Sequence, residues 1–162
     1  MTAMADPGPS SPAPQEVLSR PGWLSTLAKA DKGEIERAAR AVFGDAIPGF
    51  SWLRKPEFGL AMIRGRAGGT GQAFNLGEIT VTRCSLTLAD GTMGTAYIAG
   101  RDRRKAALIA LLDAAFQSSP DQAVPVVEQL AQAAQARREA ASQKAAATKV
   151  DFFTLVRGDN PK

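Results

Sequence analysis

Residues 64–102 alternate glycine-rich turns with strand-forming runs, and this pattern limits the possible folds more tightly than any other feature of the chain. Arg64-Gly65-Arg66-Ala67-Gly68-Gly69-Thr70-Gly71 is followed by Gly77-Glu78-Ile79-Thr80-Val81-Thr82-Arg83-Cys84, then Asp90-Gly91-Thr92-Met93-Gly94, then Gly100-Arg101-Asp102. Glycines 68, 69 and 71 permit positive φ and close backbone approach. Asp90-Gly91 between two alternating runs is a strong hairpin signal. The expectation is an antiparallel hairpin of residues 79–88 and 92–99. A two-residue turn would pair Leu88 with Met93, Leu86 with Thr95, Cys84 with Tyr97 and Arg83 with Ile98. In the first strand the apolar positions change parity, from Ile79 and Val81 to Cys84, Leu86 and Leu88. That predicts a bulge or a change of buried face near Arg83.

Upstream, Pro48 and Pro56 bracket a short strand over residues 49–55, and a stronger one covers 58–66. In the latter, Phe58, Leu60 and Met62 alternate and are expected to face the core. The same alternation places Arg64 and Arg66 on that side, past the core's edge. With Gly68, Gly69 and Thr70 they form a candidate anion or carboxylate site. A solvated hairpin loop is the competing reading of the same residues. The loop is not a Walker A motif, because no lysine lies between Lys55 and Lys105. It is not a dinucleotide fingerprint either, because strand follows it where a helix is required.

Helices flank this strand region. Trp23, Leu24, Leu27 and Ala28 make one apolar stripe. Asp31 with Glu34 forms a capping-box pattern for a second helix that buries Ile35, Ala38, Ala39, Val42 and Phe43 and stops at Gly44. Asp102 can cap a helix over 103–117 whose broad apolar face covers the sheet. Arg101, Arg103, Arg104 and Lys105 crowd its first turn, where cations oppose the helix dipole unless something compensates them. A long helix over 121–147 has large apolar residues only up to Leu130 and then mostly alanine, which gives propensity but little to bury. Phe152, Phe153 and Leu155 follow, and need cover from the sheet or, the reading preferred here, from a docking partner.

The expected class is α+β: a small antiparallel sheet, an N-terminal helical pair, a covering helix, and a long alanine-rich helical arm ending in an apolar tail. Residues 1–14, rich in Pro, Ala and Ser, form a disordered extension in this reading, 15–119 the α+β domain, and 120–162 the arm and docking tail.

The absences narrow the chemistry. With no histidine and one cysteine, the chain lacks the commonest general base and metal ligand, and cannot build a disulfide, an iron–sulfur cluster or a zinc finger by itself. No metal and no cofactor is therefore expected on this chain. Cys84, within a strand pattern, is expected to be a small core residue rather than a reactive thiol. The net charge of +4 is only mildly basic. Sparse aromatics and the lack of a binding motif argue against nucleic acid. There is no signal peptide and no apolar run that could span a membrane, so a cytoplasmic protein is expected.

The ordered motifs Arg66-Ala67-Gly68-Gly69-Thr70-Gly71, Gly77-Glu78-Ile79-Thr80-Val81-Thr82-Arg83, Asp90-Gly91-Thr92-Met93-Gly94, Gly100-Arg101-Asp102 and Asp151-Phe152-Phe153-Thr154-Leu155-Val156-Arg157-Gly158-Asp159 resemble the PhnG family, the G subunit of the bacterial carbon–phosphorus lyase core complex. The resemblance covers residues 21–160. It implies partnership with the I, H and J subunits and, functionally, the L protein. It also implies a part in moving the ribose triphosphate of ATP onto an alkylphosphonate with release of adenine, ATP and phosphonate being substrates of the complex. No catalytic residue is carried over. Arg64, Arg66, Arg83, Arg101 and Arg157 are candidates to meet acidic groups of the I subunit or a substrate anion. A stand-alone anion-binding module is the alternative.

Overall fold

The computed structural model describes residues 19–68 and 70–147. The expectations for residues 1–14, for Gly69 and for Phe152, Phe153, Leu155 and Arg157 lie outside the described residues.

The elements run α1 (Arg20–Lys29), α2 (Lys32–Phe43), β1 (Phe50–Arg66), β2 (Ala73–Leu88), β3 (Met93–Ala99), α3 (Arg103–Ser118) and α4 (Pro120–Ala147). The three strands form one antiparallel sheet in the order β1-β2-β3. This is the expected α+β architecture.

Local chemistry explains the helix ends. Ser19 caps α1 by accepting the Gly22 N–H, and Pro21 sits in the first turn, where a missing N–H costs nothing. At α2 the Glu34 carboxylate accepts the Asp31 N–H at 2.8 Å, the reciprocal half of a capping box. Gly44, at φ 63°, ends that helix as expected. Asp102 caps α3 by accepting the Lys105 N–H at 2.8 Å.

The core lies between the sheet and the helices. α3 crosses β3 and β2, and α1, α2 and α4 pack around it. Leu27, Ile35, Leu86, Ile98, Ile109, Leu112, Phe116 and Val127 are fully enclosed. Each such side chain contributes about 1.5–3 kcal/mol relative to exposure. At Gly94 the backbone of α3 lies close against the sheet: a Cβ there would lie 1.9 Å from the Ala110 carbonyl oxygen. Cys84 is buried, and burial raises its thiol pKa to about 11. That keeps it protonated and unreactive at neutral pH.

Among the described residues one charged side chain sits inside. Asp113, on α3, is fully buried. Its carboxylate accepts the Trp23 indole N–H at 2.9 Å, the Thr95 backbone N–H at 3.0 Å and two Arg20 N–H groups at 2.8 and 3.2 Å. It therefore ties α1, β3 and α3 at one point. The hydrogen bond to Asp113 raises the Arg20 guanidinium above its ordinary pKa, against the opposite pull of burial.

The strands bear on four expectations, and depart from all but the third. First, residues 49–55 and 58–66 do not form two strands: β1 runs through Pro56. A missing N–H is tolerated there because β1 is an edge strand, and the ladder slips on either side of Arg54 to accommodate it. Second, the β2–β3 register is one residue off. Cys84 pairs with Ala96 and Arg83 with Tyr97, because the turn holds three residues, with Leu88 and Thr92 joined at 2.9 Å and Gly91 at φ 87°. Third, of the bulge or change of buried face expected near Arg83, the change of face is what forms: β2 carries no bulge against β3, since the ladder is continuous from Val81 to Thr87. The irregularity near Arg83 lies on β1, between Arg54 and Glu57. The parity change is the expected change of face: Val81 is buried on the opposite face from Cys84 and Leu86, flanked by its pairing partners Gly59 and Ala99. Fourth, Phe58, Leu60 and Met62 do not face a covered core. They are 44%, 64% and 54% exposed.

A candidate partner-binding arm

β1 and β2 are much longer than β3. The pairing with β3 stops at Val81 and Ala99, with a last hydrogen bond from the Gly100 N–H to the Thr80 carbonyl. The first turn of α3 stops at the same level, where the Arg103 guanidinium stacks 4.5 Å over the Phe58 ring. Beyond that line residues 60–66 and 73–80 continue as a two-stranded ribbon. Seven residues at a strand's rise make an arm about 20 Å long.

Pairing fixes which side chains share a face. Leu60 with Thr80 and Met62 with Glu78 continue the face that α3 covers further back. Ala61 with Ile79, Ile63 with Gly77 and Gly65 with Phe74 form the other. The ladder slips between Ile63 and Arg64, leaving Leu76 as the extra residue. Leu76 folds across Gly65, where a Cβ would sit 2.3 Å from its Cδ1. Any residue but glycine at 65 would push Leu76 off the ribbon.

At the tip the Ala67 carbonyl accepts the Gly71 N–H at 3.0 Å, and Arg66 donates to the Gly71 carbonyl at 3.2 Å. Gly68 uses positive φ, at 61°. Thus Arg66 serves partly to close its own loop, while Arg64 and Thr70 are exposed beside it.

The other two arginine candidates among the described residues, Arg83 and Arg101, are not gathered with these. Arg83 sits on the uncovered face of the sheet, ion-paired to Glu57 at 2.8 Å, and Glu57 also takes Arg54 at 3.2 Å. Arg101 is exposed at the base of the arm. The crowd of cations after it is compensated within the chain. Arg103 lies on Phe58, Arg104 pairs with Glu36 at 3.1 Å, and Lys105 donates to the Ala28 carbonyl at 2.9 Å. Burial lowers the Lys105 pKa, against the raising effect of Asp102. Among the described residues Arg101 has no ion pair.

A second projection leaves the same end of the domain. Lys32 and Asp102, at the starts of α2 and α3, are 3.7 Å apart. Arg137 of α4 pairs with Glu34 and Asp31 at that same corner. Burial pushes the Glu34 carboxyl up, but the hydrogen bonds from Asp31 and Arg137 outweigh it and hold its pKa below the ordinary value. Past Arg137, residues 138–147 are all exposed.

A sequence signal for the arm was available. Residues 58–63 read Phe-Gly-Leu-Ala-Met-Ile, and Phe74, Leu76 and Ile79 follow on β2, so both parities are apolar. A strand with one wet face does not look like that.

The model of a family described as "Phosphonate metabolism protein PhnG" matches residues 18–158. The chain belongs to the PhnG family. A curated PhnG relative from Rhizobium meliloti (strain 1021) is 40% identical over 146 residues, covering 89% of this chain and 92% of its own length. That relative is named alpha-D-ribose 1-methylphosphonate 5-triphosphate synthase subunit PhnG. The match to the PhnG family takes in the whole arm, both glycine turns and the terminal Asp-Phe-Phe-Thr segment. Among the described residues of this PhnG-family chain, no helix is long and apolar enough to cross a membrane.

Proposed function

We propose that this chain is the G subunit of an alpha-D-ribose 1-methylphosphonate 5-triphosphate synthase, a component of carbon–phosphorus lyase. The observation that carries the reading is the 40% identity, across nearly the full length of both chains, to a relative named as that subunit. With the I, H and L proteins it takes part in transferring the ribose triphosphate of ATP to an alkylphosphonate, releasing adenine. It assembles with the I, H and J subunits in the cytoplasm. The chain holds no complete active site of its own, and it needs no cofactor.

The arm supports a subunit role. A two-stranded ribbon is marginally stable alone in water, and this one exposes large apolar side chains. Arg64, Arg66 and Arg101 are the arginines we assign to acidic groups of a neighbouring subunit. Arg83 already has Glu57 and is the weakest candidate.

Reconstitution tests the proposal. Purified I, H and L proteins are given magnesium ATP and methylphosphonate, with and without this chain. Adenine is measured by chromatography and the ribosyl phosphonate by phosphorus NMR. Product that depends on this chain is expected. Equal turnover without it would overturn the proposal, and a chain that stays monomeric and binds phosphate alone would favour an independent anion-binding module.

A further inference from the structure

We infer that the arm is inserted between two walls of a partner subunit and gripped on both faces, with its arginine tip against carboxylates at the floor of the cleft. The inference rests on the subunit reading above and adds the mode and chemistry of contact.

The argument is one of faces. A ribbon that lies flat on a partner needs one apolar face and one polar face. This one has none that is polar throughout. Leu60 and Met62, 64% and 54% exposed, occupy one face. Ile63, Phe74, Leu76 and Ile79, between 38% and 63% exposed, occupy the other. No described element covers either face beyond the level of Phe58 and Thr80. Free in water, such an arm exposes apolar surface on two sides at once, whereas a cleft covers both. The tightly folded Leu76 over Gly65 keeps the ribbon thin where it would enter first.

Charge sets the floor and the partner's sign. Arg64 and Arg66 lie at the tip, and the arm's one carboxylate, Glu78, is set back from it. The tip is therefore cationic, and it fits a protein cleft with apolar walls and a carboxylate-bearing end. A phosphate-lined floor would suit the arginines but not the two apolar faces.

The test uses the full-length chain co-purified with the I, H and J subunits. Three double variants are compared: Leu60→Ser with Met62→Ser, Phe74→Ser with Leu76→Ser, and Arg64→Glu with Arg66→Glu. Each face variant is expected to weaken incorporation about tenfold or more. The tip variant is expected to weaken it too, with the loss growing at low salt. Hydrogen exchange of amides in 60–66 and 73–80 is expected to slow strongly in the assembled complex, while α3 amides in the free variants stay as protected as in the parent, showing that the fold is intact. One silent face would overturn two-walled insertion in favour of flat docking. Unchanged arm exchange in an intact complex would overturn the arm as a contact while leaving the subunit reading untouched. A parent chain that never joins the complex would sink that reading, and the inference with it.

Discussion

Strand β2 is one continuous backbone with two environments. Over its second half Val81, Thr82, Cys84 and Leu86 are buried, whereas over its first half Phe74, Leu76 and Ile79 stand in solvent. Residue type does not separate the halves, since both carry large apolar side chains. Cover separates them. The second half has a strand on each side and α3 across it, while the first has β1 alone. Hydrophobic stabilisation follows area removed from water, so the same kind of residue stabilises the fold at one end of the strand and is left for an external partner at the other.

The comparison can be pressed hardest at Asp113. Asp113→Ala leaves the Trp23 and Thr95 N–H groups without their acceptor, at about 1–3 kcal/mol each. Arg20, whose side chain is 37% exposed, recovers some hydration. We expect a total loss of about 2–5 kcal/mol in denaturant unfolding of the free chain. A loss no larger than that of an arm variant would break the contrast. Gly94→Ala comes next. Its Cβ would run into the Ala110 backbone, so α3 must lift from β3, at about 1–3 kcal/mol. A lowered midpoint with unchanged helix content checks it.

Acid should loosen the corner where α2 meets α4. The Glu34 pKa is depressed in the fold, so its contribution is present above the ordinary value of 4.5 and is lost as pH falls through the folded value. The stability difference between the parent and Glu34→Gln should therefore shrink as pH falls from 4.5 through the folded value; a gap that is constant with pH would contradict the assignment. The smallest effect sharpens the other side of the comparison. Leu60→Ala and Leu76→Ala should each change the free chain's stability by no more than about 0.5 kcal/mol, because neither side chain is covered. A melting curve that moves as far as for Gly94→Ala would mean the arm is packed within its own chain.

Much of this was legible residue by residue, and the failures share a cause. The helix starts at Asp31 and Asp102 and the stop at Gly44 follow from short-range hydrogen bonding, which neighbours in sequence complete by themselves. The long helix was expected over 121–147 and spans Pro120–Ala147 for the same reason. The β2–β3 register failed by one because Asp90-Gly91 marks a turn without stating whether two or three residues bridge it. Asp113 was visible as an acid on an apolar helix face, but its four donors come from α1 and β3, and no local pattern announces them. Among the described residues, the arginine candidates Arg64, Arg66, Arg83 and Arg101 lie at three places: the arm's tip, its base and the uncovered face of the sheet.

Sequence alone determined where α2 begins and ends, where α3 begins, and that a glycine hairpin joins the last two strands. Those outcomes depend on torsions and hydrogen bonds within a few residues. Only the tertiary structure decided which apolar strand faces are covered. Alternation states which side chains share a face, but cover requires a second element to arrive there: α3 begins one strand-half too far back to reach Leu60 and Met62, and no described element lies over Leu76 on the other face.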